Sequence, residues 1–228
     1  LLHLKKRNKL IVTTFIYRPK QGWKGKLYRW FVRRAVCSKA LDKIVCFSST
    51  EPAYYAQLLD APPEKFVYVP FGIGDLGRCS EETPQPEERF VLSVGKSNRD
   101  YDFLVDALQG TPYKVRILSD TYLREAPGEN IRIYPDVFGE DYYRMLAACY
   151  CVVVPLADVH ISAGQFVFLQ SMMFGKPVIT TRSDTVTDYI TDGENGFIIS
   201  KDKNQLLERL RQLYTEPALY RRLAQEGR

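Results

Sequence analysis

The sequence lacks the features of several protein classes. No apolar run approaches the roughly 20 residues of a membrane-spanning helix, and the apolar run Cys151 to Leu156 has only the length of a strand. The first ten residues, LLHLKKRNKL, show no apolar core or small-residue cleavage site, so we expect no signal peptide. Five cysteines without a CxxC pair and only two histidines argue against a zinc site. These absences favour a cytoplasmic protein with reduced thiols.

The charge is concentrated near the start of the chain. Of the 228 residues, 45% are hydrophobic and 26% charged, which is typical of a soluble globular protein. The net charge is +5, and most of the excess lies between Lys5 and Lys43. Residues 17–43 combine many cations with Trp23, Tyr28 and Trp30. This basic aromatic stretch is interpreted either as a solvated helix face or as a peripheral contact with an anionic membrane surface.

Residues 89–228 alternate between short β-rich segments and helical segments. The predicted strands are Phe90–Gly95, Lys114–Leu118, Ile131–Pro135, Cys151–Leu156, Pro177–Thr181 and Gly196–Ser200. The predicted helices are Tyr101–Gln109, Glu140–Tyr150, Ala163–Phe174, Thr185–Thr191 and Lys203–Tyr214. Continuous apolar strands separated by helices indicate a parallel sheet covered on both faces. We therefore predict a doubly wound, Rossmann-like α/β domain.

The first 73 residues predict a second, smaller α/β domain. LIVTTFI at Leu10–Ile16, KIVCFS at Lys43–Ser48 and FVYVPFG at Phe66–Gly72 have the character of strands. Helices are expected from about Gly25 to Ala40 and from Ser49 or Thr50 to Leu59. This is too little for a free-standing sheet, so we expect the chain to begin partway through its N-terminal domain. Residues 74–88, rich in Gly, Pro and acids, predict a linker.

The segment Ile161–Pro177, ISAGQFVFLQSMMFGKP, carries the strongest functional signal. Ser162 and Gln165 form a capping-box pattern, and Gly175 and Pro177 are typical of a helix end. The helix is apolar on nearly every face, which predicts burial. It follows the predicted strand CVVVPL, at whose carboxyl end ligands of open α/β sheets bind. We therefore expect an anion site at its first turn, formed by residues Ala163, Gly164, Gln165 and Phe166.

This helix resembles the donor-binding helix of the retaining GT-B glycosyltransferases of group 1, a family that includes glycogen synthases and mannosyltransferases. The tail SMMFGKPVI at Ser171–Ile179 fits closely, and the likeness extends from about Leu10 to the end of the chain. It includes VPFG before the linker, SVG after it and DYITDGENGFII at Asp188–Ile199. The resemblance implies a GT-B fold with two Rossmann-like domains. It also implies a nucleoside-diphosphate sugar donor, a glycan or lipid-linked acceptor, and transfer with retention of configuration.

The sequence departs from the family pattern at both motif carboxylates. Ser162 stands in place of the glutamate that contacts the sugar, and Gln170 in place of the glutamate that binds ribose. Gln170 keeps the capacity to hydrogen-bond a ribose, whereas Ser162 is shorter and neutral. His160 either contacts the sugar or satisfies a loop carbonyl. We interpret the chain as an altered subgroup with the same diphosphate contact.

Two further segments resemble donor-binding parts of the family. In SVGKSNRDY, Lys96 and Arg99 correspond to the cations that neutralise the donor diphosphate, although they are three positions apart rather than about five. In YPDVFGEDYYRML, Val137 and Phe138 are the candidates for contact with the base, largely through the backbone. Tyr142 and Tyr143 either stack on the base or pack in the core. No DxD-like pair lies in a loop that would hold Mg²⁺, so we expect no metal and no other cofactor.

Three other functions remain open at this point. An isomerase related to UDP-sugar 2-epimerases has the same architecture, but those enzymes depend on additional carboxylates and histidines. The loss of both motif carboxylates also fits a non-catalytic module that binds a nucleotide sugar or a partner. A nucleic-acid-binding role ranks last, because only the basic stretch suggests it, and we expect no nucleic acid as partner.

Overall fold

The computed structural model describes residues 8–74, 88–125 and 128–228. Most of the predicted linker 74–88 therefore lies outside the described residues. The chain divides into two compact units. The first comprises residues up to Phe71 together with His160–Ser162, and the second comprises Gly72–Val159 and Ala163–Arg228.

The first unit is built on a short parallel sheet. Its strands, in the order β1-β2-β3, are β1 Ile11–Val12, β2 Lys43–Cys46 and β3 Phe66–Tyr68, and its helices are α1 Gly22–Val36 and α2 Glu51–Leu59. Tyr17, Ile44, Tyr55 and Leu59 are fully buried in its core. The strand predicted over Leu10–Ile16 is thus only two residues long, and α1 begins and ends earlier than predicted.

The second unit contains a six-stranded parallel sheet. Its strands are β4 Phe90–Val94, β5 Lys114–Leu118, β6 Ile131–Tyr134, β7 Cys151–Val154, β8 Val178–Thr181 and β9 Phe197–Ile199. Their order in the sheet is β6-β5-β4-β7-β8-β9, with every neighbouring pair parallel. This is the order of a doubly wound Rossmann-like sheet, whose direction of winding reverses between β4 and β7. The predicted fold class is confirmed.

Helices cover both faces of this sheet. They are α3 Tyr101–Leu108, α4 Gly139–Ala148, α5 Gln165–Met173, α6 Lys203–Thr215 and α7 Pro217–Glu226. One core cluster packs α3, α6 and α7 on one face, and a second packs α4 and α5 on the other. Burial on both faces explains why β7 and β8 are buried at every position. Within residues 8–74, 88–125 and 128–228, no helix is both long and apolar enough to cross a membrane.

One helix prediction in this unit was wrong, and one helix was missed. The segment predicted as a helix over Thr185–Thr191 is a succession of turns. Val186 and Ile190 are buried, and this i, i+4 spacing imitates an amphipathic helix. The Asn195 side chain instead accepts a hydrogen bond from the Thr191 N–H and donates one to the Tyr189 carbonyl. Helix α7, which begins at Pro217, was not predicted.

Candidate functional site

The loops after β4 and β7 lie side by side at the carboxyl edge of the six-stranded sheet. Adjacent strands whose connections run to opposite faces leave a crevice there, and this is where open α/β sheets bind ligands. The Asp100 N–H donates to the Pro155 carbonyl at 2.8 Å, and Arg99 forms an isolated bridge with Leu156. The two loops are therefore fixed against each other by backbone hydrogen bonds.

Asn98 holds these loops together with its side chain. It is 3% exposed and adopts a left-handed backbone conformation with φ +57°. Its Nδ2 donates to the Asp158 carbonyl at 2.9 Å, and its Oδ1 accepts from the Asp158 N–H at 2.8 Å. Asparagine suits this place because it tolerates the left-handed region and carries both a donor and an acceptor.

Arg99, a predicted diphosphate ligand, supports the same loop. Its Nε donates to the Val94 carbonyl at 2.9 Å and its Nη1 to the Ser97 carbonyl at 2.8 Å. The guanidinium packs on Gly95, where an added Cβ would lie 2.8 Å from Nη2. Loss of solvent around the guanidinium lowers the pKa of Arg99. In this conformation Arg99 shapes the backbone of residues 94–97.

Helix α5, predicted to begin at Ala163, begins at Gln165. Helix α5 has Gly164 at its N-cap, with φ +95°, and no side chain caps it. The capping box of Ser162 and Gln165 is therefore wrong. Gly164 is required here because φ is positive and because an added Cβ would lie 3.0 Å from Val154 Cγ1. The N-terminus of α5 still lies at the carboxyl end of β7. The positive end of the helix dipole is therefore at this edge of the sheet.

A cavity of about 250 Å³ opens at this edge of the second unit. Its walls come from the ends of β4 and β5, the loop before α4, and the start of α5. The predicted residues Lys96, Val137, Phe138 and Phe166 all line it. Phe138 and Phe166 are 60% and 51% exposed, so two partly exposed aromatic side chains border the cavity. The remaining predicted site residues are not part of this lining.

Asp120, a polar residue of the cavity, was not selected from the sequence. Asp120, directly after β5, lines the cavity and forms an ion pair with Lys96. Lys96 also lies over the Phe138 ring, 6.0 Å from its centroid. The position of Asp120 two residues beyond a strand of the parallel sheet was the available signal, because carboxyl ends of such strands converge on the ligand site.

Gln170 is engaged in a buried network. The residue is 1% exposed, and its Oε1 accepts a hydrogen bond from Tyr142 Oη at 2.8 Å. Its Nε2 donates to Tyr143 Oη at 3.2 Å. Tyr143 stacks on Phe174 with ring centroids 6.1 Å apart. Both tyrosines belong to the core as packing residues, and the Gln170 amide has its two polar atoms occupied in this conformation.

The predicted sugar contacts Ser162 and His160 belong to the first unit. The Ser162 N–H donates to Glu51 Oε1 at 3.0 Å, and Phe47 N–H donates to Glu51 Oε2 at 3.0 Å. Glu51 is 3% exposed, and this burial raises its pKa although the backbone hydrogen bonds oppose the shift. His160 stacks on Tyr54 with ring centroids 4.9 Å apart. Sequence reasoning gave no signal for Glu51, which is 111 positions from Ser162.

The four cysteines that the structure describes add no chemistry to the site. Cys37, Cys46, Cys149 and Cys151 are free thiols, and burial raises the pKa of Cys149 to about 12. Within the described ranges, no group of three or more His, Cys, Asp or Glu residues could hold a metal ion.

Comparison with known proteins decides the family. The model of the family described as glycosyl transferases group 1 matches residues 90–216, which is more than half of the chain and includes every element of the cavity. The chain belongs to this family. The glycosyl transferases group 1 assignment agrees with the helix and loop motifs noted in the sequence.

Individual relatives agree with the family. The chain is 30% identical over 194 residues to the D-rhamnosyltransferase WbpZ of Pseudomonas aeruginosa, covering 76% of this chain and 49% of that protein. It is 39% identical over 83 residues to the putative glycosyltransferase EpsD of Bacillus subtilis, covering 33% of this chain and 22% of that protein. The chain thus spans about half or less of the length of these curated relatives.

Solved structures show the same fold. The structure of Anabaena HepE in complex with UDP and glucose superposes with a TM-score of 0.73 at 15% identity, covering 97% of this chain and 66% of that one. WaaG, described as a glycosyltransferase involved in lipopolysaccharide biosynthesis, gives a TM-score of 0.72 at 22% identity, covering 97% and 71%. At these identities the likeness concerns the fold alone.

Proposed function

We propose that the protein is a glycosyltransferase that moves a sugar from a nucleoside-diphosphate sugar to a glycan or lipid-linked acceptor, with retention of configuration. The observation that carries the proposal is the cavity of the second unit. It opens at the reversal point of a Rossmann-like sheet, beside the N-terminus of α5, in a chain that belongs to glycosyl transferases group 1. The sequence relative named D-rhamnosyltransferase WbpZ supports glycosyl transfer as the activity.

Each predicted contact has a place in this proposal. The base packs against Val137 and Phe138, and the diphosphate lies toward Lys96 and the first turn of α5, Ala163 to Phe166. A cation and a helix dipole both stabilise the negative charge that the leaving nucleoside diphosphate gains. Arg99 contributes by fixing the loop that carries Lys96. Ser162 and His160 are the candidates for contact with the transferred sugar, and Gln170 reaches a ribose only after releasing its tyrosines.

The proposed reaction is the one that the family resemblance implies. The acceptor hydroxyl attacks the anomeric carbon on the face from which the diphosphate departs. A phosphate oxygen of the donor takes the acceptor proton, so the C–O bond to the acceptor forms while the C–O bond to the diphosphate breaks. The chemistry requires no metal, since Lys96 and α5 supply the stabilising charge.

Donor turnover tests the proposal. The chain is incubated with UDP-, GDP- and ADP-sugars, with and without glycan acceptors, and release of nucleoside diphosphate is followed with and without EDTA. We expect release with one base class, unaffected by EDTA, and an α-linked product from an α-linked donor in the NMR spectrum. Lys96→Ala is expected to weaken nucleoside-diphosphate binding about tenfold or more, whereas Lys203→Ala on α6 should not. Absence of binding to every donor would overturn the proposal.

A second candidate is a module that binds a nucleotide sugar without transferring it. Ser162 and the engaged Gln170 favour it, because neither supplies a carboxylate to the donor. The same assay separates the two functions, since a binding module shows affinity without release of product.

Helix α1 supports peripheral membrane contact as part of the proposed function. Trp23, Leu27, Trp30 and Phe31 are 72%, 47%, 52% and 57% exposed, and their i, i+4, i+7, i+8 spacing places them on one stripe. The helix carries five cations and no acid. An apolar stripe flanked by cations is typical of a helix that lies in an anionic membrane surface.

Vesicle sedimentation tests the contact. We expect the chain to bind vesicles rich in phosphatidylglycerol and not vesicles of phosphatidylcholine alone. A double variant, Trp23→Ala with Trp30→Ala, should lose this binding, while Leu123→Ala, at an apolar residue that is 81% exposed in the second unit, should keep it. Equal binding of both variants would contradict the assignment of α1.

A further inference from the structure

Asp120 is a carboxylate in the cavity of the second unit to which the proposed function gives no role. Of the polar side chains in the lining, Tyr142 is committed to Gln170, and Ser119 Oγ lies 3.3 Å from Thr121 Oγ1. Asp120 Oδ2 is paired with Lys96. Its Oδ1 has no protein hydrogen bond within residues 8–74, 88–125 and 128–228. The cavity therefore offers one charged acceptor with an open lone pair beside one cation.

This pair matches two parts of a nucleoside diphosphate. The ribose 2′- and 3′-hydroxyls are donors that need an acceptor when they leave water, and the diphosphate needs a cation. Asp120 supplies the first and Lys96 the second, and the two side chains enter the cavity from the ends of neighbouring strands β5 and β4. The aromatic rings of Phe138 and Phe166 border the same space.

The alternative acceptor, Gln170, is blocked by its own contacts. Its amide would have to release Tyr142 and Tyr143, and the buried Tyr142 hydroxyl would lose the acceptor of its hydrogen bond. Leaving a buried polar group without a partner is unfavourable. Asp120, whose side chain is 31% exposed, needs no such rearrangement.

We infer that Asp120 binds the ribose hydroxyls of the donor nucleotide and so makes this site selective for ribonucleotides. The inference rests on the proposed function. Ligand binding moves Lys96 from Asp120 to the diphosphate and leaves the carboxylate to the ribose. The Gln170 network keeps a structural role, holding α4 against α5 beneath the cavity.

Calorimetry with modified nucleotides tests this inference. The tightest binder among UDP, GDP and ADP is compared with its 2′-deoxy and 3′-deoxy forms. The wild type should prefer the ribonucleotide over at least one deoxy form by about tenfold or more, because the deoxy form loses a hydrogen bond to a charged group. Asp120→Asn and Asp120→Ala should reduce the ratio to about twofold or less, while binding of the deoxy form changes little.

Two control variants sharpen the result. Asp141→Asn, at a surface aspartate that pairs with Arg144, should keep the full ratio. Gln170→Leu should also keep it, even where the protein is less stable, because the ratio cancels effects on folding. An unchanged ratio in both Asp120 variants, loss of the ratio in Gln170→Leu, or no preference in the wild type would each overturn the inference. Failure of the wild type to bind any nucleotide would instead refute the proposed function.

Discussion

The Asn98 side chain is expected to stabilise the loops at the carboxyl edge of the second unit. Asn98→Ala removes its hydrogen bonds to the Asp158 carbonyl and N–H, at 2.9 and 2.8 Å. A buried side-chain hydrogen bond contributes about 1 kcal/mol, and a non-glycine, non-asparagine residue in the left-handed region costs roughly 1–2 kcal/mol. Together these give a loss of about 3 kcal/mol in the free energy of unfolding.

A glycine variant separates the two effects. Asn98→Gly loses the hydrogen bonds but keeps access to the left-handed conformation, so we expect a loss about 1 kcal/mol smaller than for Asn98→Ala. For a chain of this size, 1 kcal/mol corresponds to about 2–4 °C in Tm, so Asn98→Ala should lower the Tm by about 6–12 °C.

Urea unfolding followed by far-UV circular dichroism measures the loss, and hydrogen exchange locates it. Exchange should quicken in the peptides of residues 95–100 and 155–159 in both variants. The reasoning is refuted if Asn98→Ala unfolds within about 0.5 kcal/mol of the wild type. Equal losses in the alanine and glycine variants would refute the conformational part alone.

Three further outcomes are expected. Gly164→Ala should lower stability by about 1–3 kcal/mol and weaken nucleotide binding, because φ is +95° and Val154 crowds the added methyl group; urea unfolding and calorimetry check this, and wild-type behaviour would contradict it. Burial raises the pKa of Glu51, so folding binds a proton and stability should fall as pH rises from the unfolded pKa through the folded one. Glu51→Gln should flatten that pH dependence in thermal unfolding, and an unchanged slope would count against the shift. In native protein, the half-buried thiol of Cys37 should react with Ellman's reagent. The buried thiol of Cys149, whose pKa is raised to about 12, should react only after unfolding. Mass spectrometry of labelled peptides would show which thiol has reacted.

The strands of the second unit could be predicted because their signal is local. Each is a continuous apolar run, and burial on both faces of a parallel sheet demands such runs. The right-handed crossover rule restricts the possible strand orders, and the structure supplies the observed order β6-β5-β4-β7-β8-β9. The i, i+4 spacing of Val186 and Ile190 led to a wrong helix prediction. These residues are buried within a series of turns, and the Asn195 side chain hydrogen-bonds the backbone there.

The start of α5 could not be predicted from local pattern. The sequence from Ser162 to Gln165 fits a capping box, yet the Ser162 N–H is bound by Glu51. That partner is distant in the chain, so the competing interaction is invisible to any short window. The role of Gln170 was hidden for the same reason, because its two tyrosine partners are 28 and 27 positions away. Arg99 is different, since its carbonyl partners are only two and five positions away. The residue types indicated that both side chains bind the donor. In the folded chain, Arg99 donates to loop carbonyls and Gln170 hydrogen-bonds two tyrosines.

The cavity itself was partly predictable. Lys96, Val137 and Phe138 were selected from motif resemblance and Phe166 from its place in the first turn of a helix. The structure brings all four to one lining. Asp120 was overlooked because no motif names it. Its position after β5 could have been weighed, since the topology alone brings that strand end beside the end of β4.

A crystal structure of the chain with its preferred nucleoside diphosphate tests the central claim most directly. The account predicts density in the cavity of the second unit. The base should lie against Val137 and Phe138, the ribose beside Asp120, and the diphosphate between Lys96 and the N-terminus of α5. An empty cavity at saturating nucleotide, or a nucleotide bound elsewhere on the chain, would contradict it.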